Sequence, residues 1–185
     1  MRPLSRFVPS ILGSLLLAPA CALALVAIPD ATPQLFLGGQ ENFDLVMASR
    51  NIKVFRALGL EKKTKPRNVI TIDGQTCDAT PVVVSGSKVE KVALALSDMG
   101  NFGEMFMCIF DPGVILRFEA GKKILDIMIC FHCQEMILFK DGVLVRRPLK
   151  WASTKNTFSK DARRAFTAIA KAAFPKDSEI QKLKE

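Results

Sequence analysis

Residues 114–147 read VILRFEAGKKILDIMICFHCQEMILFKDGVLVRR, and this stretch decides the fold. Apolar runs of strand length are separated here by two short turn sequences, Ala120-Gly121-Lys122 and Lys140-Asp141-Gly142. Glycine accepts the positive φ that tight turns require, and Asp-Gly is a strong hairpin signal. The pattern therefore predicts consecutive antiparallel strands at residues 114–119, 124–131, 135–139 and 143–147.

The turn pattern continues upstream of this stretch. Asp111-Pro112-Gly113 is a turn sequence because proline presets φ, and an apolar run at residues 104–110 precedes it. That run is predicted as the fifth strand of an antiparallel β-meander. Earlier in the chain, apolar and basic residues alternate at 52–58, which favours an edge strand. Short strands are also predicted at 69–72 and 81–84, with a turn between them at Asp73-Gly74.

Helical periodicity complements the strands. Ser87 and Glu90 form a potential capping box for a helix at residues 87–98. Ser159 is predicted to cap a helix at residues 160–173, whose apolar stripe contains Phe166 and Ile169. A shorter helix is predicted at residues 41–49. The predicted fold class is α+β, with a meander of about five strands packed by two or three helices in a single domain.

The N-terminus has the composition of a targeting segment. Arg2 and Arg6 precede residues 11–28, which contain no charged side chain. A cationic start followed by an apolar run is typical of a secretory signal, and a run of this length can also anchor a protein in a membrane. Ala18-Pro19-Ala20 and Ala22-Leu23-Ala24 both fit signal-peptidase cleavage, and Cys21 is a candidate for lipidation.

Export is therefore the predicted destination. We expect residues 1–24 to be a signal peptide or a lipoprotein or membrane anchor, residues 25–45 a tether, and residues 46–185 the α+β domain. The mature protein would then lie in the periplasm or cell envelope, either soluble or anchored to a membrane.

The cysteines carry the candidate chemistry. Cys130-Phe131-His132-Cys133 is a CxxC motif that contains the single histidine of the chain. A disulfide among Cys108, Cys130 and Cys133 suits an oxidising compartment, and we favour it. Zinc or copper bound by Cys108, Cys130, His132 and Cys133 is an alternative, because thiolate and imidazole are suitable ligands. Thiol–disulfide exchange is a third, although no helix N-terminus is predicted to activate the motif. Cys77 is expected to matter less, in a turn-rich segment away from the meander.

Residues 108–118, which read CIFDPGVILRF, and the later Ile129-Cys130-Phe131-His132-Cys133 resemble a group of small exported bacterial proteins with no known activity. In that group a lone cysteine and a Pro-Gly turn precede a strand that ends in Cys-Phe-x-Cys, and the last helix ends in Phe-Pro, as at Phe174-Pro175. The resemblance covers about residues 85–180. It implies a shared architecture and implies that Cys108, Cys130 and Cys133 act together.

Charge is concentrated towards the C-terminus. The chain has a formal net charge of +8, and residues 121–185 hold 14 Lys and Arg against 7 Asp and Glu. A basic C-terminal third predicts an anionic partner, either a membrane surface or an acidic protein. Nucleic acid is disfavoured because the sequence has no recognisable reader motif and few aromatic residues other than phenylalanine.

Enzyme signatures are weak in this sequence. His132 is bracketed by cysteines and has no evident carboxylate to orient it. Asp126 and Glu135 flank the CxxC motif and are the candidate pair for a small hydrolase, the last-ranked function. The predicted function is a non-enzymatic binding or structural module of the cell envelope, with no cofactor. The alternative is a metal-binding or thiol-redox protein centred on the CxxC motif.

Overall fold

The computed structural model describes residues 32–59, 68–102, 108–145 and 158–185. Its strands are β1 (Asn51–Arg56), β2 (Val69–Ile72), β3 (Gln75–Asp78), β4 (Val82–Ser85), β5 (Val114–Ala120), β6 (Lys123–Cys130), β7 (Glu135–Lys140) and β8 (Val143–Leu144). Its helices are α1 (Pro33–Phe36), α2 (Gln40–Ala48), α3 (Ser87–Ser97), α4 (Lys160–Ala173) and α5 (Ser178–Gln181), with a 3-10 turn at Met99–Asn101.

The α+β prediction is confirmed. Six strands form an antiparallel sheet in the order β4-β1-β5-β6-β7-β8, and β2 pairs with β3 in a separate hairpin. Strands β5 to β8 are a meander, joined by the predicted turns at Gly121 and Asp141-Gly142. The helices bury one face of the sheet, and the β2–β3 hairpin covers part of the other.

Strand β1 is central, and the prediction of an edge strand is wrong. It pairs with β4 on one side and with β5 on the other. Ile52 and Val54 enter the core on the helix side, while Phe55 enters the cluster beneath the hairpin. Apolar groups on both faces suit a strand that is covered on both sides. Its one lysine, Lys53, is paired with Glu119 at 2.7 Å.

The predicted strand at residues 104–110 is not formed by residues 108–110, and the remainder lies outside the described residues. The reason is competition for the free side of β5. Strand β1 occupies that side, with Arg56 opposite Val114, and the amide of Ala57 donates to the carbonyl of Gly113 at 3.2 Å. Residues 108–112 therefore do not pair with β5.

The hairpin β2–β3 was predicted only in part. Asp73 and Gly74 have φ of 47° and 83°, so they form the expected tight turn, but it joins β2 to β3 and not to β4. Cys77 lies on β3, is fully buried, and packs with Phe55, Ile115 and Met128. The expectation that Cys77 lies away from the meander is therefore wrong.

The helix-side core is built from α3 and α4. The N-cap of α4 is Ser159, as predicted, and its hydroxyl accepts from the amide of Ala162 at 3.1 Å. Buried Asn101 donates to the carbonyl of Ala95 at 3.0 Å and accepts from the amide of Ser159 at 2.9 Å through its own carbonyl. It thereby fixes the start of α4 to the end of α3.

The capping box predicted at Ser87 is wrong. Gly86, with φ of 74°, is the N-cap of α3, and no side chain caps this helix. The chain leaves β4 with a positive φ at position 86, which glycine adopts readily. Gly86 therefore takes the N-cap position, and Ser87 becomes the first residue of the helix.

The tether predicted at residues 25–45 is wrong from Pro33 onwards. Helices α1 and α2 pack on the domain, and Phe36 and Leu37 are fully buried. Residues 1–31, including Cys21 and the predicted export segment, lie outside the described residues. Within the described part of the chain, no helix combines the length and hydropathy needed to span a bilayer.

Phe166→Ala should destabilise the domain by about 3–5 kcal/mol, because large-to-small changes in a packed core remove contacts and leave a cavity. Phe166 is fully buried and contacts the ring of Phe158 at 5.0 Å between centroids. Denaturant unfolding measures the change. Leu94→Ala is the control, since Leu94 lies on α3 with 61% exposure. A loss below about 1 kcal/mol for Phe166→Ala would contradict the packing.

Candidate functional site

A disulfide joins Cys108 to Cys133, with their Cα atoms 6.0 Å apart. Cys133 lies in the four-residue turn between β6 and β7, which closes where Cys130 pairs with Glu135. Gln134 completes this turn with φ of 56°. The bond therefore fastens the segment that precedes β5 to the β6–β7 turn. The prediction of a disulfide in this cluster is confirmed for these two cysteines.

Cys130 is a free, fully buried thiol next to the disulfide. Its Sγ accepts a hydrogen bond from the backbone amide of Cys133 at 3.3 Å. In an unbroken strand, residues three apart would point to opposite faces. The turn removes this restriction and brings both ends of the CxxC motif together.

The metal interpretation gains no support from this geometry. Cys108 and Cys133 are bonded to each other, and His132 is exposed on the turn. Among the described residues, no three His, Cys, Asp or Glu side chains are arranged to hold a metal ion. Binding of zinc or copper by Cys108, Cys130, His132 and Cys133 stays a prediction for the reduced protein.

A cleft of about 360 Å³ opens beside the disulfide turn. Its charged and polar lining residues are Arg56, Asp111, His132 and Glu179. The backbone of Gly59 forms part of the wall, where a Cβ atom would lie 2.6 Å from the carboxylate of Asp111. A side chain at position 59 would therefore require the exposed carboxylate of Asp111 to move.

Arg56, at the end of β1, organises the cleft. Its Nε donates to Asp177 at 2.7 Å, and Nη2 donates to Glu179. Its Nη1 donates to the carbonyls of Ala57 at 2.9 Å and Gly113 at 2.8 Å. Most of its donors are used within the protein, so this guanidinium is a structural clamp.

The carboxylates proposed for a hydrolase do not meet. Asp126 forms a two-point ion pair with Arg117, at 2.7 and 2.8 Å. Glu135 lies opposite Cys130, four residues along β6 from Asp126. At about 3.4 Å per strand residue, the two backbone positions are about 14 Å apart. In glycosidases the two carboxyl groups are at most about 9.5 Å apart, so both side chains would have to lean towards each other to act as such a pair, and Asp126 is held by Arg117.

A different carboxylate, Asp73, approaches Asp126 from the tip of the hairpin. Burial, the charge of Asp126 and a hydrogen bond with it raise the pKa of Asp73 to about 6, against the opposing influence of Arg117. The buried Oδ2 of Asp73 has no donor among the described residues, which fits a protonated oxygen shared with Asp126. Nearby, burial and the Asp126 charge raise the pKa of the Cys77 thiol to about 12. Cys77 is therefore a poor nucleophile.

Sequence reasoning missed Arg56, Arg117 and Asp73 as site-forming residues. Asp73 was recognised, but only as a turn residue. Arg117 lies one strand from Asp126 and directly opposite it in register, so a charged pair on adjacent predicted strands was the available signal.

Asp73→Asn should change how stability depends on pH. Because the folded-state pKa of Asp73 is raised, protonation of this carboxyl stabilises the fold. This stabilisation is fully present below about pH 4 and is lost as the pH rises through about 6. Asparagine keeps the neutral form and tolerates the left-handed turn. We expect the variant to gain about 1 kcal/mol relative to wild type between pH 4 and pH 7, since solvent screens part of the effect.

Asp141→Asn is the matched control. Asp141 occupies the equivalent position of the other tight turn, with φ of 50°, and its Oδ1 accepts from the amide of Ile124 at 2.8 Å. Asparagine can keep that bond. Unfolding of both variants and of wild type is measured across this pH range, and a pH-independent Asp73→Asn difference would contradict the shared proton.

Comparison with known proteins adds no assignment to this site. No family model matches the chain, and no curated protein or solved structure is significantly similar to it. The resemblance to small exported bacterial proteins thus stays a prediction. The function has to be argued from the residues of the chain itself.

Proposed function

We propose that this protein is an exported, non-enzymatic module of the cell envelope that docks on an anionic phospholipid surface through residues 158–185, the C-terminal basic segment. The observation that carries the proposal is the distribution of ion pairs. Of the nine described cations outside the segment, six are in ion pairs, whereas none of the seven described cations inside it is.

Six cations of the sheet and its borders have carboxylate partners, while Lys88, Lys91 and Lys122 have none among the described residues. The pairs are Arg50–Glu90, Lys53–Glu119, Arg56 with Asp177 and Glu179, Arg117–Asp126, and Lys123 and Lys140 with Glu41. The two lysines lower the pKa of Glu41 to about 2 through their hydrogen bonds and charges, Lys123 more strongly than Lys140. Charge on this side of the molecule is therefore largely neutralised within the protein.

The C-terminal basic segment differs. Within the described part of the chain, none of its seven cations has an ion-pair partner: Lys160, Arg163, Arg164, Lys171, Lys176, Lys182 and Lys184. Of its four acidic residues, Asp177 and Glu179 are engaged by Arg56. Because Arg56 comes from the sheet, the segment is left with seven cations against Asp161 and Glu185.

An excess of unpaired positive charge of this kind suits binding to an anionic membrane surface. Each Lys or Arg near an anionic bilayer contributes about 1 kcal/mol, and the attraction fades within a Debye length. The predicted N-terminal signal or anchor would also bring the domain close to a membrane. An acidic protein is the alternative partner, and it would be bound by the same unpaired cations.

The cysteine cluster supports the second candidate function, thiol-redox chemistry. The free thiol of Cys130 beside a disulfide is the observation that favours it. Metal binding would need the disulfide to be reduced first.

Lys176→Glu combined with Lys182→Glu should weaken binding to vesicles containing anionic phospholipid by at least about tenfold, because two favourable contributions of about 1 kcal/mol become repulsive. Both side chains are exposed. Sedimentation of the full chain with anionic vesicles and with neutral vesicles measures the difference and cancels any insertion by the N-terminus. Added salt should weaken only the anionic component.

The control is Lys88→Glu with Lys122→Glu, two exposed lysines outside the segment. Both double variants lower the net charge by the same amount, so a specific surface requires that only the first loses binding. Equal losses would indicate a general charge effect, and equal binding to anionic and neutral vesicles would contradict the proposal.

A further inference from the structure

The buried thiol of Cys130 has no role in the docking proposed above. A thiol that only fills core space would contact apolar atoms. Cys130 instead accepts a hydrogen bond from the backbone amide of Cys133 at 3.3 Å, and in the β6–β7 register it pairs with a charged residue, Glu135. Its hydrogen-bond partner Cys133 is itself half of the Cys108–Cys133 disulfide.

We propose that Cys108, Cys130 and Cys133 form a thiol–disulfide exchange site in which Cys133 changes partner from Cys108 to Cys130. The exchange makes Cys108 an accessible thiol, which can attack an external disulfide to form a mixed disulfide while the other sulfur of that disulfide leaves as a thiol. It goes beyond membrane docking and does not depend on it.

The step needs no external oxidant or reductant. The sulfur of Cys130, as thiolate, attacks Sγ of Cys133, and a Cys130–Cys133 bond forms as the Cys133–Cys108 bond breaks. Cys108 leaves as a thiolate and takes up a proton, so one proton passes from Cys130 to Cys108 overall. The number of disulfides is unchanged.

The fold positions the sulfurs for this step. Disulfides require Cα atoms about 4.4–6.8 Å apart, and the ends of a tight turn lie within about 7 Å. Cys130 ends β6 and Cys133 lies within the turn that follows, where its amide nitrogen is 3.3 Å from Sγ of Cys130. Cys133 can therefore bond with either neighbour, and it does so with Cys108 in this structure.

Burial decides which sulfur meets external reagents. Cys130 is fully buried, so an external thiol or alkylating agent has no direct access to it. Cys108 is half-buried and precedes Ile109, which is 81% exposed. After exchange, the reactive thiol is thus at the surface, while the new disulfide is held in the turn.

Trapping with N-ethylmaleimide tests the exchange in the folded, oxidised full chain. Trypsin separates the sulfurs, since Cys108 lies in peptide 92–117 and both Cys130 and Cys133 lie in peptide 124–140. We expect the cross-link between the two peptides to disappear with time. In parallel, peptide 92–117 should gain the reagent, and peptide 124–140 should acquire an internal disulfide.

Cys130→Ser and Cys130→Ala are the controls, because either change removes the attacking sulfur and leaves Cys108 and Cys133 intact. Labelling of Cys108 should fall by at least about tenfold in whichever variant is folded. Two results would overturn the proposal. In the first, the wild-type protein keeps the cross-link between the two peptides, whether or not Cys130 is labelled. In the second, Cys108 is labelled as fast in the Cys130 variants as in wild type.

Discussion

The buried guanidinium of Arg56 is the interaction on which the architecture of this end of the molecule depends. It joins three parts of the chain: its own strand, the carbonyl of Gly113 where β5 begins, and Asp177 and Glu179 around the start of α5. A charge that is only 8% exposed needs such partners, since desolvation of an unpaired cation is very costly. The same contacts withdraw two carboxylates from the C-terminal basic segment. The clamp that closes the fold therefore also creates the positive surface.

The central strands are buried on both faces, and this explains the polar cluster beneath the hairpin. Strands β1, β5 and β6 pack against the helices on one face, and the hairpin covers Phe55, Ile115 and Met128 on the other. Arg117 and Asp126 also lie on this second face, where their opposite charges cancel in an ion pair. The approach of Asp73 then adds a third charge, and the raised pKa of its carboxyl is the consequence. The charged residues of this cluster therefore interact mainly with one another.

Local signals explain what the sequence could predict. The turn at Asp141-Gly142 and the cap at Ser159 act over a few residues, so the hairpin β7–β8 and the bounds of α4 could be predicted. Long-range pairing explains the failures. Whether β1 or residues 104–110 would lie beside β5 depends on residues far apart in the chain. The partner of Cys133 could be narrowed to its cluster, but the choice between Cys108 and Cys130 depends on the path of the chain around the β6–β7 turn.

Export and the disulfide are linked, because disulfides persist in oxidising compartments and are rare in the cytosol. The most direct measurement is therefore the state of the cysteines in protein taken from its native compartment, with free thiols blocked before the cells are broken. We expect the protein in the envelope fraction, with peptides 92–117 and 124–140 cross-linked through Cys108. The two buried free thiols, Cys77 and Cys130, should be blocked only after unfolding. Recovery of the protein in the cytosolic fraction, with Cys108, Cys130 and Cys133 all blocked as free thiols, would contradict this account.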